Sequence, residues 1–186
     1  MRTKKAMLLG VMLLLMVLLG ACAAPAPETV TFADENMEAA IRETLGKPAG
    51  EAITPAELAG LTQLAANKQG ITDLSGIEYC INVIVLQLWG NQISDFSPLA
   101  SLTNLTMINL QNNEISDLSP LASLTSLTYL NLKSNQISNL SPLVENSGLG
   151  TGDIVILLSN NLDLSEGSED MEDIRQLEGR GVVVYY

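Results

Sequence analysis

The sequence contains no histidine. That removes the usual general base near neutral pH and the commonest transition-metal ligand. There are only two cysteines, Cys22 and Cys80, so at most one disulfide bridge. Aromatic residues make up 4 % of the chain, with a single tryptophan, Trp89. Basic residues are also scarce. Nine Lys and Arg stand against twenty-one Asp and Glu, for a net charge of −12. Three of the nine, Arg2, Lys4 and Lys5, sit at the extreme N-terminus, and without them residues 22–186 carry −15. Such a charge favours solubility and repels phosphate backbones. A nucleic-acid role would need a basic stripe, and none is written in the sequence. P-loop, GxSxG and HExxH motifs are missing too. Neither a cofactor nor a resident metal is expected.

What the chain does have is a period. Residues 80–101, 102–123 and 124–145 fall into register as 22-residue lines. Apolar residues recur in seven columns, among them Leu58/Cys80/Leu102/Leu124, Leu64/Leu86/Ile108/Leu130 and Ala66/Leu88/Leu110/Leu132. One column is polar: Gln69, Asn91, Asn113, Asn135. The resulting LxxLxLxxNxI pattern is the leucine-rich-repeat signature. Around Ile108 and Leu110 the alternation has period two, which predicts a short strand with Leu105, Ile108 and Leu110 inward and Met107, Asn109 and Gln111 outward. The Asn amide can satisfy backbone groups left unpaired where the chain turns. Asp95, Asp117 and Asn139 each precede x-Ser-Pro, where a short polar side chain bonds the backbone two residues on. No line can bury its own core, so the lines must stack.

The ends of such a stack need caps. Residues 32–57 break the period. Asp34-Glu35-Asn36 opens a helix with Met37, Ala40, Ile41 and Leu45 on one face, closed by Gly46, and a second short helix starts at Thr54-Pro55. A fifth line is stretched: Ile156, Leu158 and Asn161 align with Leu130, Leu132 and Asn135 after four extra residues near 148–153. Ser168–Leu177 then reads as a helix, and Val182–Tyr186 as a last strand. The expected fold is an α/β repeat: a leucine-rich-repeat solenoid of about five 22-residue repeats, with a concave parallel sheet, a helical N-cap and an α/β C-cap. The expected divisions are 1–21 signal, 22–31 lipidated terminus and tether, 32–57 N-cap, 58–165 repeats and 166–186 C-cap.

With the 22-residue lines, the ISDLSPL segment at 115–121 and the QLEGRGVVVYY ending, residues 32–186 resemble the internalin-type leucine-rich-repeat proteins of bacteria. The resemblance implies a right-handed coil and a binding role through its sheet. The first line departs from the pattern, with Ala66 and Gln69 in place of Leu and Asn, and Ser75-Gly76 in place of Ser-Pro.

The N-terminus points outside the cytoplasm. A basic start at Arg2, Lys4 and Lys5 and an apolar, uncharged run at 6–19 read as a secretory signal. Leu19-Gly20-Ala21-Cys22 resembles the lipobox of bacterial lipoproteins, which implies a diacylated Cys22 after processing. The alternative is an uncleaved anchor, since residues 6–24 just reach the length of a short span. Either way the domain is tethered to a membrane, and the tether reaches at most about 25–30 Å. Cys80 lies in an apolar column and reads as a small buried hydrophobe.

Three further features bear on chemistry. Asp73, Asp95 and Asp117 share a register about 5 Å apart, near the spacing of a glycosidase pair, but a residue repeated in every line reads as a turn former. The acidic run Asp163, Glu166, Glu169, Asp170, Glu172, Asp173 could hold Ca²⁺, but it also suits a helix N-terminus capped by Ser168. Asn104 and Asn139 match the glycosylation pattern, which the repeat's own Ser and Thr also produce.

The outward sheet positions carry the functional expectation. They form the columns Val85/Met107/Tyr129/Val155, Gln87/Asn109/Asn131/Leu157 and Trp89/Gln111/Lys133/Ser159, beside a structural ladder of Asn91, Asn113, Asn135 and Asn161. Contiguous exposed apolar groups mark interaction sites, and Trp and Tyr dominate hot spots. The expectation is a monomeric, non-enzymatic, membrane-tethered module that binds a protein or peptide. Contact with cell-wall glycan as an adhesion or structural component is the alternative, and a cell-wall hydrolase a weaker one.

Overall fold

The computed structural model describes residues 28–186. The signal segment and Cys22 lie outside these residues. Six strands form one parallel sheet in chain order: β1 (Gln63–Ala65), β2 (Val85–Gln87), β3 (Met107–Asn109), β4 (Tyr129–Asn131), β5 (Ile154–Ile156) and β6 (Val183–Tyr185). The protein is a leucine-rich-repeat solenoid. The first three strands return through short 3₁₀ turns at Ile77–Tyr79, Ser97–Ser101 and Ser119–Ser123, the fourth through helix α3 (Ser141–Glu145), and the fifth through a longer helix at Glu169–Gly179.

The core is one continuous apolar column running the length of the stack. Leu64, Leu86, Ile108, Leu130 and Val155 come from successive strands and are all buried, as are Ala66, Leu88, Leu110, Leu132 and Leu157. Because strands alternate faces, the residues between them point to the other side of the sheet.

Two side-chain ladders hold the turns. Asn113 accepts the Ile93 amide at 3.1 Å and donates to the carbonyls of Leu88 and Leu110 at 3.1 and 3.0 Å. Asn91 and Asn135 do the same one line before and after. In every case the amide bonds the preceding line. Gln69 has no preceding line and is exposed, which explains why the first repeat does without Asn. The second ladder is the turn column. Asp73, Asp95, Asp117, Asn139 and Asp163 each accept the amide two residues on, at 2.7–3.0 Å.

Helix α1 (Glu35–Leu45) closes the N-terminal end, with Met37, Ala40 and Ile41 buried and Gly46 as its C-cap. Helix α2 (Pro55–Leu58) starts in a capping box between Thr54 and Glu57. Lys47 bonds the same Glu57 carboxylate and, with the Thr54 groups, holds it down to about 2. Val30 bridges to Ile53, so the chain is docked on the cap from there. The Ser75-Gly76 departure also has a cause. Gly76 sits at φ 99°, and a Cβ there would lie 2.7 Å from the ring of Phe32, so proline is excluded. Helix α4 (Glu169–Gly179), capped by Ser168, covers the other end with Ile174 and Leu177.

The fifth line corrects the sequence expectation. Leu130 pairs with Val155 and Asn131 with Ile156, so the insertion is one residue shorter than the alignment of Leu130 with Ile156 requires. A one-residue slip moves every side chain to the other face. Val155 and Leu157, expected outward, are core at 0 % and 1 % exposure. The ladder residue is Asn160, which donates to the Leu132 and Leu157 carbonyls and accepts the Ile137 amide. Asn161 is exposed. The cause is local: Ile154-Val155-Ile156-Leu157-Leu158 has no polar alternation, and two adjacent asparagines follow. Either register satisfied the pattern.

Candidate binding surface

The outward positions of the sheet form columns across the stack. The register aligns Gln63, Val85, Met107, Tyr129, Ile154 and Val183 in the first. Five successive members are apolar. Met107 is 36 % exposed and Val183 42 %, enough to be touched by a partner without unfolding anything. The second column runs Ala65, Gln87, Asn109, Asn131, Ile156, Tyr185. Beyond it lie Trp89, Gln111, Lys133 and Leu158.

The polar residues of this face are less free than their types suggest. Asn109 accepts the Gln111 amide and Asn131 accepts the Lys133 amide, both at 3.1 Å. Asn131 is buried, contrary to its expected exposure, because its side chain is turned back on its own backbone while its amide group donates to Gln111. Gln87, Gln111, Trp89, Tyr129 and Lys133 are partly exposed. Ser159 is exposed but follows the corrected register, in which Leu158 takes the place beside Lys133.

Charge on this face has one sign. Among the described residues, Arg42, Lys47 and Arg175 pair with Glu38, Glu57 and Glu172. Lys68 and Lys133 form no ion pair within 4.0 Å. Lys68 instead lies over Trp89, its Nζ 4.4 Å from the ring centroid. No outward position of the six strands is acidic.

The other candidates serve the fold. The carboxylates of Asp73, Asp95 and Asp117 are tied to the turn amides. The Ser75 groups hold Asp73 below the usual carboxylate range, and those of Ser119 do so for Asp117. In the acidic run, Asp170 accepts the Asp163 amide and Asp173 is buried against Ser141. Among the described residues no three acids, cysteines or histidines converge as metal ligands would. Cys80 is fully buried, and burial, with Glu78 nearby, pushes its thiol up to about 12.

Sequence reasoning missed Ile154, Ile156, Leu158, Val183, Tyr185 and Lys68. Val183 and Tyr185 are legible in the alternation of the last strand. Lys68 falls just beyond the strand, where no alternation points to it.

Comparison with known proteins agrees with this architecture. The model of the leucine-rich-repeat family described as "Leucine Rich repeats (2 copies)" matches residues 81–123 and 103–145. Internalin H of Listeria monocytogenes is 37 % identical over 71 residues, covering 38 % of this chain and 13 % of that protein. The functional domain of InlJ from Listeria monocytogenes, described as including a cysteine ladder, superposes with a TM-score of 0.65 at 28 % identity, over 75 % of this chain and 31 % of that one. An internalin, InlF, of the same species gives 0.54 at 29 %, over 83 % and 56 %. A leucine-rich-repeat protein of Leptospira interrogans shares the fold, with a TM-score of 0.60 at 24 % identity, over 70 % of this chain and 32 % of that one. The chain thus spans only part of the length of these relatives. The repeats make this a leucine-rich-repeat solenoid, and over part of their length it is similar to internalins.

Proposed function

We propose that this protein is a binding module held outside the cytoplasm by an acylated Cys22, and that it recognises a protein or peptide through the concave sheet. One observation carries the recognition half: the apolar column Val85, Met107, Tyr129, Ile154, Val183, which faces away from the core. The repeat does not require these side chains for folding, since the core is complete on the other face. Apolar groups left in water across successive strands favour association. The tether half rests on the Leu19-Gly20-Ala21-Cys22 segment. With the domain docked from Val30 onward, the sheet stays close to the bilayer.

A photo-crosslinking residue placed at Met107 in the full chain, in cells, tests the recognition. A discrete adduct from Met107 that is missing when the same residue is placed at Ser101, on the opposite side, supports the reading. Equal adducts from both positions, or attachment to purified cell wall that disappears on glycan digestion, would overturn it. Labelled fatty acid incorporated into the wild type and not into Cys22→Ser tests the anchor.

A further inference from the structure

The concave face carries no acid on its strands, although the chain holds twenty-one Asp and Glu. Among the described residues the two cations on or beside it, Lys68 and Lys133, are without ion pairs; of the other four, Arg42, Lys47 and Arg175 have found carboxylates and Arg180 bonds the Asn146 carbonyl. Like charges across an interface repel and unlike charges steer and select. A face whose strands are free of acids, with its cations unpaired by carboxylates, is complementary to an anion.

Lys68 is held in place. Its backbone lies at φ 56°, in the left-handed region that Gly90, Asn112, Ser134 and Ser159 occupy in the later lines. Glycine and asparagine suit that conformation and lysine does not favour it. Gly90 also leaves room for the Lys68 stem, since a Cβ there would lie 2.9 Å from Lys68 Cγ. The stem is thereby laid across Trp89, with the ammonium over the ring. This arrangement disfavours a sugar as occupant. A face of the sole tryptophan is covered, and the side-chain oxygens of Asn109 and Asn131 are spent on backbone amides.

Resting on the reading of the concave sheet as the binding face, we propose that its partner is a polypeptide with an acidic stretch. Two carboxylates sit at Lys68 and Lys133, and apolar side chains of the same partner cover Met107, Tyr129 and Ile154. Lys68 lies in the first line and Lys133 in the fourth. Three strand steps of about 4.8 Å separate these lines by roughly 14 Å. An extended peptide rises about 3.3 Å per residue, so acids about four positions apart, on one side of the peptide, span the distance.

The test is selection of binders from a random twelve-residue phage-displayed library against the full chain in detergent. Enriched peptides are expected to be acidic, with Asp or Glu pairs about four apart. Their affinity should fall roughly tenfold when their acids are replaced by amides, and equally in the Lys68→Gln/Lys133→Gln protein. The amide peptides leave the protein untouched, so a folding defect cannot mimic that result. Neutral or basic binders abolished by Met107→Ser would keep the concave face and overturn the acidic partner. Binders indifferent to both sets of substitutions would overturn the concave face itself. No enrichment, or lysine-dependent binding of polygalacturonate in place of peptides, would overturn the proposal as well.

Discussion

Asp34 joins the N-terminal cap to the first repeat through the two oxygens of one carboxylate. Oδ1 accepts the amides of Asn36 and Met37 at 2.9 and 3.0 Å, capping α1, and Oδ2 accepts the amide and hydroxyl of Thr72 at 2.7 and 2.9 Å. The first repeat has no preceding line to bond, and this carboxylate takes amides that would otherwise end the stack unpaired. Burial pushes Asp34 upward, but the bonds from Thr72, Met37 and Asp73 outweigh it and hold the group below its ordinary value.

Asp34→Ala is therefore expected to cost about 2–3 kcal/mol at neutral pH, combining a lost helix cap with unpaired amides. The pH dependence has a definite sign. A depressed folded pKa gives stability that is full above the unfolded value and lost as pH falls through the folded one. Thermal melts of wild type and variant should differ most near neutrality and converge in acid. A gap independent of pH would show that the carboxylate is not the source.

The register of the fifth line makes a paired prediction. Asn160→Ala removes two donations and an acceptor inside the turn, and should cost about 1–3 kcal/mol. Asn161→Ala, one residue on and exposed, should stay within about 0.5 kcal/mol. Likewise Leu157→Ala should cost about 2–5 kcal/mol and Leu158→Ala far less. Denaturant midpoints for the four variants decide it, and the reverse ordering would restore the register with Ile156 inward.

Where lines repeat, strand positions, core columns, the Asn ladder and the turn aspartates were all legible, because each column keeps one residue type for one physical reason. Legibility failed where the constraint was not periodic. Residues 154–158 are apolar throughout, so the choice of face is made by stacking on β4 and by Asn160, which local pattern does not reveal. Asp34 was readable as a cap, but its second bond reaches thirty-eight residues ahead to Thr72. In β2–β4 the outward positions followed from alternation, while Asn131 folding back on its own backbone and Lys68 crossing Trp89 depend on side-chain geometry that a register leaves open.

Cys80 should be chemically silent in the native state. The reactive species is the thiolate, and a buried thiol pushed up to about 12 supplies almost none of it at neutral pH. Alkylation followed by site-resolved mass spectrometry should modify Cys80 only after denaturant unfolds the repeats. Rapid labelling under native conditions would mean that the second line opens locally.

Asp173 should behave oppositely to Asp34. It is 7 % exposed, and burial, against the Ser141 hydroxyl and with Glu169, Asp170 and Glu172 nearby, pushes its carboxyl above the ordinary value. At neutral pH both folded and unfolded states are ionised, and only the folded state bears the penalty. As pH falls through the raised folded value, the native state takes up the proton first, so this group's contribution moves toward stability, and the penalty is gone below the unfolded value. Asp173→Asn keeps the shape and removes the charge, so it should match or exceed wild type at neutral pH, by on the order of 0.5–1 kcal/mol. That advantage should shrink on acidification, while the deficit of Asp34→Ala shrinks from the other side. Melting the two variants beside wild type across the acid range tests both signs. A neutral-pH loss of stability in Asp173→Asn would show that the ionised carboxylate supports α4 against α3 and does not strain it.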